Sequence, residues 1–290
     1  MYHYREEHAI SRMAKVLEVS ESGYYKWLKT RNMTTFKELE DMELLKEIKK
    51  IHKESKYSFG VLKITKVLNK NRPQEQKVNH KRVARLMKEN GIRSKVKKKY
   101  VITTDSSNSE NIAENILKRN FTADKPGVKL VSDTTYIPTE EGTIYAAVII
   151  DLFGRMPVGL AMSTRNDANL VVECFYDMKS MFKTEKGCII HSDRGSTYAS
   201  NKYKEVLEDN DMTPSMSRKG NCWDNAVNES FFGKLKTEWL DKKIKTMKEA
   251  KRLVYEYVWD FYPNKRPHEA NDYLTPFEYY YTKENEEDTK

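Results

Sequence analysis

The feature that most constrains the fold is a change in the spacing of apolar residues near residue 128. Before this point, apolar residues recur every three or four positions, as on one face of a helix. After it they alternate or run continuously, as in strands. The run from Ile144 to Ile150 carries no charge and is far too short to span a membrane. A helical first half and a strand-containing second half are therefore predicted.

The second half combines strand and helix patterns in the order β-β-β-α-β-α-β-α. Strands are predicted at 129–137, 143–152, 156–162, 188–192 and 213–217, and helices at 167–182, 199–210 and 225–239. The first three strands follow one another closely, which is typical of an antiparallel meander. This order favours an α/β fold in which helices cover both faces of a mixed five-stranded sheet.

The first half reads as short helices separated by capping residues. Residues 9–29 form a helix–turn–helix pattern in which Ser20 or Ser22 caps the second helix. Three further helices are predicted, at 41–53, 60–72 and 80–90. Asn79 is suited to cap the last of them, and Gly91 to end it. Three short helices with a cationic last helix fit a winged-helix or helix–turn–helix module, so all-α helix–turn–helix DNA-binding modules are predicted for the first half.

Positive charge is concentrated in one segment. The 290-residue chain has a net charge of +9, but residues 51–100 alone hold 16 Lys and Arg against three Asp and Glu, a net +13. A basic block of this kind is the electrostatic footprint of a nucleic-acid-binding surface. The residues predicted to contact DNA here are Lys81, Arg82, Arg85 and Lys88 on the last helix, and Arg93, Lys95 and Lys97 in the arm after it.

Length and composition set the outer limits. A chain of this length holds two or three domains, and 11% aromatic residues exclude a disordered protein. The three cysteines are scattered and the N-terminus has no apolar leader, so reduced thiols and a cytoplasmic location without membrane contact are expected. Five segments are predicted along the chain. They are a helix–turn–helix-like segment at 1–35, a basic helical domain at 36–102, a linker at 103–122, a sheet domain at 123–240 and a C-terminal helical extension at 241–290.

Three acidic residues stand where strands end or a helix faces the sheet. Asp133 lies in the first strand, Asp193 follows the fourth, and Glu229 lies on the last helix of the sheet domain. One such acid alone is usually a strand-end or capping residue. Three that cluster repel one another unless a cation neutralises them, and carboxylate oxygens are ligands that Mg²⁺ prefers. Two such ions can assist in-line displacement at a phosphate.

The spacing and surroundings of these acids carry a family resemblance. Thirty-five residues separate Asp193 from Glu229, which resembles the D,D(35)E pattern of retroviral integrases and related transposases. The segments HSDRGSTYAS, SMSRKGNCWDNAVNESFFGKLKTE, FYPNKRPHEA, VSESGYYKW and VNHKRVARLMKENGIRSK resemble the IS3 family of insertion-sequence transposases, IS150-like group. The resemblance extends over residues 9–280.

This resemblance implies an RNase H-like integrase catalytic core in which Asp133, Asp193 and Glu229 bind two Mg²⁺ ions, with Mn²⁺ as a substitute. The implied activity is a DDE-type transposase that cleaves insertion-sequence ends and joins the freed 3′-OH to a new strand, first forming a circular intermediate. The implied partners are double-stranded DNA (terminal inverted repeats and target) and further copies of the chain, at least a dimer. The chain resembles the downstream-frame product, whose partner or fusion is an upstream-frame segment.

Several neighbouring residues are predicted to support this chemistry. Lys236 resembles the basic residue that contacts terminal DNA in the superfamily, and it lies two helical turns beyond Glu229. Asn225 either holds Glu229 or a metal-bound water, or caps the helix. His191 packs or donates a hydrogen bond to a ligand. Trp223 either buttresses the loop or packs in the core, and core packing is the favoured role. Phosphate contacts are predicted for Arg218 and Lys219.

Two alternative functions remain open from the sequence. A nuclease of the same fold would cut DNA without joining it. A non-catalytic DNA-binding regulator, made from the downstream frame alone, would compete for DNA ends. The presence of all three acids favours the enzyme.

Overall fold

The computed structural model describes residues 1–95, 111–219, 221–240 and 242–287. The chain divides into two compact units, residues 1–48 and residues 49–290.

The first unit begins with two short helices, α1 (Ile10–Val16) and α2 (Glu21–Thr30). The Ser20 hydroxyl accepts a hydrogen bond from the Gly23 backbone N–H at 3.1 Å, so Ser20 is the cap of α2. A side-chain oxygen in this position satisfies one of the N–H groups that have no partner within the helix. The predicted helix–turn–helix pattern of residues 9–29 is confirmed as two successive helices.

Helix α3 (Phe36–Glu54) begins five residues earlier than its apolar pattern predicts. A reciprocal capping box explains the difference. The Thr35 N–H donates to Glu38 Oε2 at 2.7 Å, and the Glu38 N–H donates to Thr35 Oγ1 at 3.2 Å. These two bonds allow the helix to start in a stretch that has no regular apolar face.

The second unit contains the end of α3 and two further helices, α4 (Val61–Asn69) and α5 (His80–Glu89). Asn79 caps α5 by accepting from the Lys81 N–H at 2.8 Å, and Gly91 ends this segment with a φ of +64°. Both predicted caps are confirmed. Helix α5 buries its apolar residues Val83, Leu86 and Met87.

The sheet has five strands: β1 (Lys129–Thr139), β2 (Gly142–Asp151), β3 (Met156–Ser163), β4 (Ile189–Ser192) and β5 (Thr213–Met216). Their order across the sheet is β3-β2-β1-β4-β5. The first three strands pair antiparallel, whereas β4 runs parallel to β1 and β5 parallel to β4. The predicted mixed sheet and its leading meander are confirmed, and this topology is RNase H-like.

Three helices flank the sheet: α6 (Ala168–Met181), α7 (Asn201–Asp209) and α8 (Ala226–Lys234). Helix α6 packs on β2 and β3, α7 contacts β5, and α8 contacts β1. The core between them is apolar, and its fully buried members include Leu130, Ile149, Leu170, Phe175 and Met178. Such a core fixes the strands that carry the candidate site.

The predicted regular helix over 225–239 is corrected by the structure. After α8 the backbone widens into a π-helical turn at Leu235–Trp239. Leu235 and Glu238 are both buried in this turn, and Glu238 forms a buried ion pair with Arg266. π-helical turns are rare and concentrate at functional sites.

The C-terminal extension is helical. It comprises α9 (Met247–Tyr255), a second π-helical turn (Glu256–Phe261), the short α10 (Tyr262–Asn264) and α11 (Pro276–Glu287). Tyr279 and Tyr280 pack their rings against Phe153, at the turn between β2 and β3.

Lysines on α4 and at its C-terminal cap interact with the part of the chain that follows α8. Lys63 Nζ lies 3.9 Å from Glu238 Oε1, and Lys66 Nζ lies 5.2 Å from the centre of the Tyr273 ring. Lys70 pairs with Glu278. Part of the positive charge in residues 51–100 therefore interacts with the chain itself.

Residues 111–117, within the predicted linker 103–122, lie against the sheet domain. The backbone N–H groups of Ile116 and Leu117 both donate to Ser215 Oγ, at 2.9 and 3.1 Å. Leu117 is almost fully buried. Residues 103–110 lie outside the described part of the chain.

Candidate active site

The pairing of β1 with β4 brings two of the predicted acids together. Val131 of β1 is the parallel partner of His191 in β4. Asp133 lies two residues after Val131, in the middle of β1, and Asp193 lies two residues after His191, just beyond the end of β4. The continuing register therefore makes the two acids neighbours across the two strands. Carboxyl ends of adjacent strands are a common location for active sites in open α/β sheets.

Glu229 approaches from the helix. It lies on α8, which contacts β1. Burial raises the pKa of Asp133 well above its ordinary value, and the negative charges of Asp193 and Glu229 raise it further. Burial also raises the pKa of Asp193. The three acids thus form one interacting set, and a compensating cation would stabilise it.

Two hydrogen bonds orient the Asp133 carboxylate. The Thr134 N–H donates to Oδ1 at 2.7 Å, and Asn225 Nδ2 donates to Oδ2 at 2.9 Å. Asn225 lies in a short 3₁₀ turn immediately before α8, and its own Oδ1 accepts from Asn228 Nδ2 at 3.1 Å. Asn225 therefore holds Asp133, a contact that its spacing from Glu229 did not predict.

A glycine fixes the second aspartate. The Gly195 N–H donates to Asp193 Oδ1 at 2.9 Å. A Cβ atom built on Gly195 would stand 3.0 Å from that oxygen, which is tighter than nearly all real contacts. A side chain at this position would displace the carboxylate.

His191 is buried and braces two strands. Its Nδ1 lies 2.9 Å from Ser215 Oγ, and its Nε2 lies 3.1 Å from Ser217 Oγ. Burial lowers the pKa of His191 to about 4, so the ring is neutral at pH 7. Both ring nitrogens thus join β4 to β5 and the residue after it.

Lys236 lies beyond the end of α8, where its charge interacts with that of Asp133. Its ammonium lies 4.5 Å from the centre of the Tyr136 ring. Burial lowers the pKa of Lys236, and the negative charge of Asp133 opposes that shift. Lys234, two residues earlier, instead acts on Glu238 and His268 through its charge.

The loop before α8 is held by a buried acid, Asp224. Its carboxylate accepts hydrogen bonds from the Arg218 backbone and guanidinium, from Arg119 Nε at 2.7 Å, and from Asn115 Nδ2 at 2.9 Å. The bonds from Arg218 hold the pKa of Asp224 well below its usual range. Arg218, predicted to contact phosphate, thus has its guanidinium bound to Asp224.

The remaining residues predicted to contact DNA differ in their exposure to solvent. Exposed residues are Lys81, Arg85, Lys88, Arg93 and Lys219, whereas Arg82 and Lys95 are partly buried. Lys97 lies outside the described residues. Their contact with DNA stays a prediction.

Sequence reasoning missed the Asp224 anchor and assigned Trp223 wrongly. Trp223 was predicted to pack in the core, but 70% of it is exposed. Both residues lie within the segment GNCWDNA, which the family resemblance had already identified as part of the site. No local pattern revealed that Arg119, from the predicted linker, returns to bind Asp224.

Relatives of known identity resemble the chain over most of its length. The transposase for insertion sequence element IS904 of Lactococcus lactis is 37% identical over 238 residues, which cover 81% of this chain and 93% of the relative. The transposase InsF for insertion sequence IS3A of Escherichia coli is 32% identical over 274 residues, 94% of each protein. The chain belongs to the IS3 family of insertion-sequence transposases.

Family models match the transposase in three places. An HTH-like domain matches residues 38–100, and two Integrase core domain models match residues 123–222 and 210–276. A similar protein of Shigella sonnei, the 31 kDa protein of insertion element IS600, is 35% identical over 91% of the transposase and 96% of its own length.

Solved structures similar to the transposase include two retroviral integrases. The HTLV-2 integrase catalytic core domain in complex with magnesium, in its trimeric form, is 12% identical with a TM-score of 0.42, over 54% of this chain and 97% of that one. The BIV integrase catalytic core domain is 16% identical with a TM-score of 0.40, over 56% and 98%. Among the described residues of the transposase, no helix is long and apolar enough to cross a membrane.

Proposed function

We propose that this transposase cleaves DNA at the ends of its insertion sequence and joins the freed 3′-OH to a new DNA strand, with Asp133, Asp193 and Glu229 as ligands of two Mg²⁺ ions. The observation that carries the proposal is the register of β1 and β4, which puts Asp133 beside Asp193. Family membership supports the reaction class, and the electrostatic coupling of Glu229 to Asp133 supports the third ligand.

The donor set fits a divalent cation. Within the described ranges, no group of three or more His, Cys, Asp or Glu side chains is already arranged to hold a metal ion. Mg²⁺ rarely uses such a complete protein shell, however. It is usually bound through one or two carboxylates and completes its shell with water and substrate phosphate. Asp133 and Asp193 meet that requirement, and Glu229 adds a third carboxylate. Mn²⁺ favours the same oxygen ligands.

The residues of the chain prepare this site for a phosphate group. Asn225 and the Thr134 N–H fix the Asp133 carboxylate, and Gly195 fixes that of Asp193. Lys236 adds a positive charge that we assign to the DNA backbone or a terminal base. Bound metal ions would polarise the attacked phosphate and stabilise the attacking and leaving oxygens.

The proposed chemistry consists of two displacements at phosphorus. In cleavage, water loses a proton as its oxygen bonds to phosphorus, the bond from phosphorus to the 3′ oxygen breaks, and that 3′ oxygen takes up a proton. In joining, the freed 3′-OH loses its proton and bonds to a phosphorus of another strand, whose own 3′ oxygen departs and takes up a proton. No covalent bond to the protein is required.

Charge also supports a role for α5 and the arm after it in holding DNA. Lys81, Arg85, Lys88 and Arg93 are exposed in the matched HTH-like domain. We assign phosphate contacts to them, together with Arg82, Lys95 and Lys219. A dimer or larger assembly on DNA and an upstream-frame partner belong to the same proposal.

The test is a strand-transfer assay. The chain, alone and fused to its upstream-frame segment, is incubated with labelled insertion-sequence ends and Mg²⁺. The proposal predicts both a shortened product with a 3′-OH and a longer joined product. Cleavage of intact ends, together with no joining of pre-cleaved ends, would identify a nuclease. Binding without either product, in both forms, would identify a non-catalytic regulator.

A further inference from the structure

Trp223 is the most exposed tryptophan of the described residues, with 70% of its surface accessible to solvent. This exposure contrasts with the burial of the two residues that follow it in the chain. Asp224 is fully buried and Asn225 nearly so. A large indole in water forgoes the burial that normally stabilises tryptophan.

The indole stands on a rigid support. The adjoining Asp224 carboxylate accepts hydrogen bonds from Arg218 in the loop itself and from Asn115 and Arg119 in the segment before β1. The Asp224 pair with Arg119 joins a fully buried carboxylate to a partner 105 residues away in sequence. A side chain presented from so constrained a backbone loses little conformational entropy when it binds a ligand.

The same loop connects this indole to the candidate active site. Asn225, two residues after Trp223, donates to Asp133 Oδ2 at 2.9 Å. The residues next to the indole carry a net positive charge: Arg119 and Arg218 pair with the single negative charge of Asp224, and the exposed Lys219 lies four residues before Trp223. An exposed aromatic ring on a positively charged surface is the combination that binds unpaired nucleotides, because every base has a face on which to stack.

We propose that Trp223 stacks on an unpaired base at the DNA strand end that enters the Asp133 and Asp193 site. The inference rests on the proposed function and deepens it, since it names the part of the DNA that this loop recognises. Stacking would hold the terminal nucleotide apart from its complement, next to the carboxylates. A protein partner on the indole is disfavoured by the cationic surroundings and is kept as an outcome of the test.

The test measures binding in EDTA, so that it does not depend on catalysis. Two duplexes of insertion-sequence end are compared, one fully paired and one with an unpaired tail that carries 2-aminopurine at its last position. Trp223→Ala is expected to weaken binding of the tailed duplex about ten-fold while leaving the paired duplex within about two-fold. It should also relieve the quenching of 2-aminopurine. Trp223→Phe, which keeps an aromatic face, should restore part of both.

Tyr176 provides a matched control, since 52% of it is exposed on α6, which packs on β2 and β3. Tyr176→Ala should change neither duplex. The inference is overturned if Trp223→Ala weakens both duplexes equally, if it weakens neither, or if it alters only self-association of the protein. The two proposals can fail separately. If Asp133→Asn abolishes cleavage while Trp223→Ala binds both duplexes like the wild type, the proposed function is supported and only the stacking inference is wrong.

Discussion

The Lys236 ammonium lies 4.5 Å from the centre of the Tyr136 ring, on the strand that carries Asp133. A cation over an aromatic face is attracted by the electrons of the ring. The contact therefore holds a lysine from the π-helical turn beside the first carboxylate, although the helix no longer has its regular period there.

Lys236→Ala should slow cleavage at the specific end by roughly ten-fold, the effect of losing about 1.4 kcal/mol of charged contact. Lys234→Ala is the matched control, because the charge of Lys234 acts on Glu238 and His268. Single-turnover cleavage rates of the two variants show whether the effect is specific to Lys236. Equal slowing by both would mean that only diffuse surface charge is involved.

The salt dependence of DNA binding should distinguish the two basic helices. Lys81 and Lys88 are exposed on α5, so replacing both by Ala should reduce the log–log salt slope by about 1.8. Replacing Lys66 on α4 and Lys70 at its C-terminal cap should change the slope much less, because they interact with Tyr273 and Glu278. Anisotropy titrations over a range of salt concentrations measure both slopes. Similar slopes in the two double variants would contradict the assignment.

The buried pair of Glu238 and Arg266 should dominate the stability of the π-helical turn. Arg266 donates to both Glu238 oxygens at 2.7 Å, and both side chains are buried. Burial alone would raise the pKa of Glu238, but the bonds from Arg266 lower it below the usual value. Glu238→Gln leaves a buried arginine without its counter-charge and should cost about 3–5 kcal/mol of unfolding free energy.

The exposed pair of Lys265 and Asp260, also 2.7 Å apart, is the control for that loss. Asp260→Asn should lower the free energy of unfolding by less than about 1 kcal/mol. Urea denaturation of the two variants provides the comparison. A cost for Glu238→Gln no greater than for Asp260→Asn would show that the buried pair does not stabilise the turn.

His268 should make the protein sensitive to mild acid. Burial lowers its pKa to about 3, with help from the positive charges of Lys234 and Arg266. Its folded pKa lies below the unfolded value of about 6.5, so the unfolded state binds the proton first. The associated stability is complete above pH 6.5 and is lost as pH falls toward 3.

At pH 5 this loss should amount to about 1–2 kcal/mol relative to pH 7. His268→Asn removes the titrating group while its side-chain oxygen can still accept from the Ala270 N–H, as Nδ1 does at 3.3 Å. Its unfolding free energy should therefore fall less between pH 7 and pH 5 than that of the wild type. Parallel pH profiles for the two proteins would contradict this assignment.

Much of the fold could be predicted from the sequence because its signals are local. The apolar run Ile144–Ile150, the caps Ser20 and Asn79 and the amphipathic pattern of α6 each act within one element. The early start of α3 escaped prediction because it depends on the exchange of hydrogen bonds between Thr35 and Glu38, not on apolar spacing.

The sequence predicted which residues belong to the candidate site but not the contacts that bring them together. Spacing drew attention to Asp133, Asp193 and Glu229, but their approach depends on the parallel pairing of Val131 with His191. Likewise, Asn225 binds Asp133 across 92 positions of sequence. Contacts of this range, like the return of Arg119 to Asp224, arise from the assembled sheet and have no local pattern.

The central claim is that Asp133, Asp193 and Glu229 form one metal-dependent catalytic set. It is tested most directly by measuring Mg²⁺-dependent cleavage of labelled insertion-sequence ends by Asp133→Asn, Asp193→Asn and Glu229→Gln, with DNA affinity measured in parallel. Each substitution removes a charged ligand and keeps the side-chain shape. We expect all three variants to lose cleavage and joining by at least about a thousand-fold, with DNA affinity within about two-fold of wild type. Cleavage at a near wild-type rate by any one of them would show that the substituted residue is not a metal ligand of this site.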